Sequence, residues 1–164
     1  MKERNMAAAG TTSSGEDEDA ALARQLAQEG ALVTPICSCP HVEEHVSASH
    51  DVSNTLETLK EETSGRGEPK CRDCGSAEIW ICMKCGIIKC SRYANQHMLK
   101  HYEESTHCIA CSFIDLSFWC FECGAYLDFF NISKLHEPFR QLHQIKFQEE
   151  ASLPTITLET STGE

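Results

Sequence analysis

Basic charge is scarce in this 164-residue chain: 14 Lys and Arg stand against 25 Asp and Glu, a net charge of −11. A nucleic-acid surface needs a basic face to neutralise phosphates, so that class of partner is not expected. Long apolar runs are also missing, and no stretch approaches the roughly 20 residues of a membrane span. Residues 1–10 (MKERNMAAAG) have no apolar core of the signal-peptide kind. Neither a membrane partner nor a secretory route is expected. Room is lacking too. The patterned region runs from near Cys37 to near Phe147, about 110 residues, too few for a protease or deacetylase catalytic domain beside another module. A core of that size folds alone when bound metal supplies much of the folding free energy.

What the chain has in quantity is cysteine, 11 residues, together with 8 histidines. In a secreted protein this would suggest disulfides. Here the count is odd and the CxxC pairs are interleaved with histidines, which favours thiolates on a metal in a reducing compartment, cytoplasmic or nuclear. Twelve residues read as ligands: Cys39, His41, Cys71, Cys74, Cys82, Cys85, Cys90, His97, His101, His107, Cys120 and Cys123. CxxC spacing lets two thiolates from one turn reach the same ion at about 2.3 Å. Twelve ligands divide evenly into three closed tetrads, whereas catalytic zinc keeps an open position, so three structural Zn2+ per chain are expected.

Residues 1–33 read as an acidic, disordered tail carrying Glu16-Asp17-Glu18-Asp19. Within it, residues 19–29 (DAALARQLAQE) read as a solvated short helix in preference to a ubiquitin-interacting one. Residues 51–70 are polar and acidic, with Ser64-Gly65 and Pro69, and read as a long loop or a short helix plus loop. Ile79-Trp80-Ile81, Ile87-Ile88, and residues 108–113, 116–120 and 125–129 read as strands. Residues 95–104 read as a helix with His97 and His101 on one face. Residues 132–147 read as a second helix, which Pro138 should split or restart. Residues 149–164 read as a flexible tail. The expected fold is α+β: a small zinc-stabilised module with a short twisted sheet and two helices.

Several other readings compete. Cys108-Ile109-Ala110-Cys111 is a fourth CxxC, read as a strand whose thiols pack in the core, and Cys37 reads as a non-ligand. His45, His50, His136 and His143 have no partner at ligand spacing. A HExxH metalloprotease fails because Met98 follows His97, and nothing between Cys90 and His101 has the form of a RING core. No second Cys/His constellation remains for hydrolysis, so an enzyme is not expected. Spacing alone leaves open which ligands share an ion.

The order Cys39-Pro40-His41, Cys71/Cys74, Cys82/Cys85, Cys90-Ser91-Arg92-Tyr93, His97-Met98-Leu99-Lys100-His101, His107, then Trp119-Cys120-Phe121-Glu122-Cys123 with Tyr126 resembles the ubiquitin-specific-protease-type zinc finger. That module is found in deubiquitinases, a cytoplasmic histone deacetylase and small plant proteins. The resemblance covers roughly residues 36–148 and sets the expected domain at 34–148. It implies that Cys39, His41, Cys120 and Cys123 share one ion, Cys71, Cys74, Cys90 and His97 a second, and Cys82, Cys85, His101 and His107 a third. It further implies a non-catalytic site for ubiquitin or polyubiquitin with a free C-terminal Gly-Gly, on a monomer. The site residues it implies are Trp80, Arg92, Tyr93, Asp115, Trp119, Phe121 and Tyr126. Arg92 suits a terminal carboxylate, the two tryptophans suit a slot for glycine, and the tyrosines offer hydroxyls to the peptide. Asp115 suits the arginines of the ubiquitin tail. Core packing is the competing account of the tryptophans, and a protein-interaction scaffold with a vestigial pocket is the competing function. Two departures weaken the expected binding: Ser91 where many relatives carry glycine, which should crowd the pocket floor, and Phe121 where some carry tyrosine.

Overall fold

The computed structural model describes residues 33–65 and 67–153. The acidic stretch at 1–32, with the helix expected at 19–29, and the tail from 154 lie outside the described residues. Five short strands form an antiparallel sheet: β1 (Ile79–Cys82), β2 (Ile88–Cys90), β3 (Ile109–Ser112), β4 (Phe118–Cys120) and β5 (Ala125–Leu127), in the order β2-β1-β3-β4-β5. Each matches a β-prone run of the sequence. Ile36 adds a parallel bridge beside Leu127, its N–H donating to the Tyr126 carbonyl at 2.9 Å. This brings the segment carrying Cys39 and His41 against the far edge of the sheet.

Register sorts the side chains into two faces, because successive residues of a strand point opposite ways. Trp80 pairs with Lys89 and Ser112, Ala110 with Cys82 and Trp119, and Trp119 with Tyr126, so these share one face. Ile79, Ile81, Ile109, Cys111, Phe118 and Leu127 lie on the other face, all at or below 3 % exposure.

Helices cover both faces. The expected helix at His97 is α3 (His97–Ser105), and Met98 from it packs on the Trp80 face. The expected C-terminal helix is α4 (His136–Phe147), preceded by a 3-10 turn over Ser133–Leu135. Pro138 does not split it: the ring falls in the first turn of α4, where its missing N–H has no intrahelical partner to lose. Two further helices are present, α1 (Val42–His45) and α2 (His50–Ser64). The second takes up most of the segment 51–70, read as a long loop or a short helix plus loop, and at 15 residues it is longer than a short helix. Ser49 caps it, its hydroxyl accepting from Val52 N–H, and Val52, Leu56 and Leu59 lie at helical spacing. Leu59 is fully buried and α2 packs against α4. Ser53, Asn54 and Glu57 between these apolar positions are exposed, and such polar residues give the segment its loop-like composition.

Candidate metal centres and an arginine-capped aromatic face

Three of the CxxC turns are built alike. Each ends in a glycine in the left-handed region: Gly75 (φ 71°), Gly86 (φ 74°) and Gly124 (φ 59°). That conformation turns the chain back after the second cysteine, so both sulfurs point to one spot, and a side chain there would be strained. Gly86 is doubly constrained, because a Cβ would lie 2.7 Å from Thr55 Oγ1 and 2.8 Å from the Asp51 carbonyl of α2. The fourth CxxC, Cys108 to Cys111, is followed by Ser112 and stays extended in β3. Both its thiols are fully buried and neither joins a ligand cluster. This absence of a following glycine was legible in the sequence, and it separates the packed pair from the three ligand turns.

The twelve ligand residues fall into three groups of four whose donor atoms lie within 4.8 Å of one another. The groups are Cys39, His41, Cys120 and Cys123; Cys71, Cys74, Cys90 and His97; and Cys82, Cys85, His101 and His107. In the first, Cys39 Sγ stands 3.7 Å from Cys123 Sγ, and His41 Nδ1 lies 3.7, 3.5 and 3.4 Å from the sulfurs of Cys39, Cys120 and Cys123. In the second, His97 Nδ1 is 3.5 Å from Cys71 Sγ and 3.4 Å from Cys90 Sγ, with Cys74 and Cys90 sulfurs 3.7 Å apart. In the third, Cys85 Sγ is 3.4 Å from His101 Nε2. Donors on a tetrahedron with bonds of about 2.0–2.3 Å stand about 3.4–3.8 Å apart, so these spacings fit a metal ion.

Electrostatics agree. Burial pushes the Cys120 and Cys123 thiols up to about 12, so without a cation both keep their protons. In the third group a hydrogen bond from Cys82 holds Cys85 down to about 4, while the same bond keeps the proton on Cys82. A divalent cation reverses this, displacing the thiol protons and neutralising the packed sulfurs. His97 and His101, one turn apart on α3, serve different groups. The helix therefore bolts two centres together, which the shared face alone does not reveal.

The aromatic face lies beside these centres. Arg92, in the loop between β2 and α3, stacks its guanidinium 3.9 Å over the Trp119 ring and donates through Nη2 to the Tyr93 hydroxyl at 2.7 Å. Trp119 meets Tyr126 edge-on at 4.9 Å and Phe121 at 6.5 Å, and Trp80 is buried on the same face. Trp119 Nε1 is buried with no acceptor among the described residues, an unsatisfied donor of a kind that folded proteins rarely leave. Phe121 stacks on Tyr102 at 5.0 Å, so this ring braces Trp119 against α3. Asp115 stands apart. It sits exposed in the β3–β4 turn, where its carboxylate accepts from the Ser117 N–H and hydroxyl. Burial raises its pKa, but hydrogen bonds from Ser117 and Ser112 outweigh this and hold it below the usual carboxylate range.

Ser91 does not crowd the face. It is 1 % exposed, its hydroxyl donates to Glu78 at 2.5 Å, and it accepts from the N–H groups of Tyr93 (3.0 Å) and Ala94 (3.1 Å). The side chain is turned into the loop it organises. Glu78, the buried face of Met98 and the unmet Trp119 donor went unread in the sequence, since each depends on neighbours brought together by the fold.

Comparisons with known proteins meet this geometry. The family model described as Zn-finger in ubiquitin-hydrolases and other protein matches residues 71–132. An NAD-dependent deacetylase sir2A of Dictyostelium discoideum is 48% identical over 59 residues, 35% of this chain and 12% of its own length. Histone deacetylase 6 of Caenorhabditis elegans is 32% identical over 96 residues, 58% of this chain and 9% of that protein. This chain thus spans about a tenth of those relatives. A solved structure of the SAGA Ubp8/Sgf11/Sus1/Sgf73 DUB module aligns over 60% of this chain and 26% of that one, at 21% identity and a TM-score of 0.39. Over residues 71–132 the chain is thus similar to the zinc fingers of ubiquitin hydrolases.

Proposed function

We propose that this chain binds the free C-terminal Gly-Gly of ubiquitin, without catalysis, on a module held together by three structural zinc ions. The observation that carries the reading is the pairing of Arg92, stacked on Trp119, with the buried and unpartnered Trp119 Nε1. A planar guanidinium held on an aromatic face is preorganised for a terminal carboxylate. The indole N–H beside it suits a peptide carbonyl, and Trp80, Trp119 and Tyr126, clustered on the same face, are the side chains that would wall a slot for glycine. Tyr93, exposed and already bonded to Arg92, hands the arginine to the incoming carboxylate. Phe121 supports Trp119 from behind, and Asp115, in the β3–β4 turn, suits the arginines of the ubiquitin tail.

Zinc, when bound, fixes thiolates and imidazoles and supplies no reaction. Each proposed ion has four protein ligands, which leaves no position for a water nucleophile. The ligands are the twelve residues grouped above, the binding unit is residues 34–148, and the protein acts as a monomer. Thiolate centres of this kind persist in a reducing compartment, the cytoplasm or nucleus. A binding titration with intact ubiquitin beside ubiquitin lacking its last two glycines tests the reading. Saturable binding of the intact protein alone is expected. Equal binding of both would move the contact to another surface and make the module a scaffold with a vestigial pocket.

A further inference from the structure

Among the twelve ligand residues Cys74 alone is exposed; the other eleven are buried or half-buried. The turn around it is open as well. Arg72, Asp73 and Gly75 are exposed, and no atom lies within 4 Å of where a Gly75 Cβ would stand. Its partner in the turn, Cys71, is buried at 2 % exposure, with a donor sulfur in the same group of four. The other two members of that group bracket the arginine loop. Cys90 ends β2, His97 begins α3, and Arg92 and Tyr93 lie between them. One ion thus ties both ends of the loop that aims Arg92 at Trp119.

We propose that Cys74 is an oxidation site through which a peroxide expels the zinc of this group and releases the Arg92 loop. The consequence for binding rests on the function proposed above. The Cys74 thiolate attacks one peroxide oxygen, the O–O bond breaks, and a sulfenic acid and hydroxide form. The Cys71 thiolate then attacks the Cys74 sulfur; an S–S bond forms and a second hydroxide leaves. The two cysteines give up two electrons, the peroxide takes them, and two protons from solvent convert both hydroxides to water. The ion has then lost two of its four ligands and departs as Zn2+. The other two CxxC pairs each place one sulfur fully buried and one half-buried, which shields them from the same attack. Cys37 is exposed too but belongs to no ligand group, so its oxidation releases nothing.

The test uses the full chain carrying Cys37→Ser, titrated with hydrogen peroxide. Free zinc is read with a chromophoric chelator, disulfides by peptide mass spectrometry, and ubiquitin binding in the same samples. The expected first event is release of one zinc with a Cys71–Cys74 disulfide, loss of ubiquitin binding, and retention of the other two zincs. Thiol reductant with added zinc restores binding. A first disulfide at Cys82–Cys85 or Cys120–Cys123, or release of all zinc together, overturns the proposal. So does unchanged ubiquitin binding after the Cys71–Cys74 bond has formed. A Cys74→His variant keeps a ligand but removes the oxidisable sulfur, and it should hold its zinc at peroxide doses that strip the parent. Loss at the same dose overturns the proposal, and if that variant does not fold, the disulfide map on Cys37→Ser decides. Untreated protein that binds no ubiquitin sinks the pocket reading instead, while zinc release and the disulfide map still judge Cys74.

Discussion

The two faces of the sheet are built from the same strands yet for opposite ends. On one, Ile79, Ile81, Ile109, Phe118 and Leu127 are buried in one cluster with Leu59 of α2 and Leu142 of α4, with Phe129 and Phe139 partly buried against it. On the other, Trp80, Trp119 and Tyr126 cluster with Ile87, Phe121 and Met98 of the short helix α3, and Arg92 lies across Trp119. The first face contributes stability through buried apolar area. The second leaves an indole donor unmet, which costs stability, while Arg92 stacks on the Trp119 ring in a favourable cation–π contact. The two-residue period of the strands thus separates the core face from the face of the proposed contact, and the candidate metal groups lie at the ends of the same strands.

Removing metal tests that junction and has the largest expected effect. Structural zinc contributes on the order of 10–16 kcal/mol in small zinc domains, more than a core of this size supplies. Chelation should abolish the cooperative thermal transition and ubiquitin binding together, and Cys120→Ala, which opens the first group, should do nearly as much. Elemental analysis of the untreated protein should return three zincs. A chelated protein that still melts cooperatively would show that the sealed face folds by itself, and the comparison would lose its common base.

Next comes a break confined to the sealed face. Phe118 is 0 % exposed at the centre of that core. Phe118→Ala should cost about 3–5 kcal/mol of stability by leaving a cavity. The fraction that stays folded at low temperature should bind ubiquitin with unchanged affinity. Urea melts and a titration at the same temperature separate the two readouts.

The mirror experiment is confined to the aromatic face. Arg92→Ala removes one partner of a desolvated charge pair, a loss of about 2–5 kcal/mol in binding. At about 1.4 kcal/mol per tenfold, affinity should fall by at least thirtyfold. Trp119→Ala should weaken binding as well, by opening the slot to water. Zinc content should not change in either variant, and the Arg92→Ala melting midpoint should stay near that of the parent. A large drop in stability for Arg92→Ala would show that its stacking on Trp119 is structural.

How much of this contrast the sequence discloses depends on the range of the interactions involved. The ligand turns are local: two cysteines, two spacers and a glycine define them, and the five strands follow from short β-branched and aromatic runs. The grouping of Cys39 and His41 with Cys120 and Cys123 is not local, since it depends on Ile36 bridging Leu127 across the sheet edge. It becomes legible only through resemblance. Helix α2 was obscured because its stripe is thin, with Val52, Leu56 and Leu59 set among polar residues whose composition matches a loop. Asp115, chosen by resemblance, has a carboxylate already engaged with Ser117. Ser91 shows the limit most clearly, because sequence supplies the side chain but not its direction.

That direction yields the smallest and sharpest prediction. A side chain pressing on the pocket floor would predict tighter binding for Ser91→Gly. The structure predicts the reverse. The Ser91 hydroxyl donates to Glu78 and receives the N–H groups of Tyr93 and Ala94, so it stiffens the loop that presents Arg92. Each such bond is worth about 0.5–1.5 kcal/mol net, and glycine also loosens the unbound loop. Some of that loss falls on folding and the rest on the aim of Arg92. Ser91→Gly should therefore weaken ubiquitin binding by a modest factor, about tenfold or less, with the zinc content intact. Ser91→Ala, which keeps the backbone stiffer, should fall between glycine and the parent. Tighter binding by the glycine variant would mean that the serine does intrude on the ligand, and that the loop needs no internal bracing to hold its arginine in place.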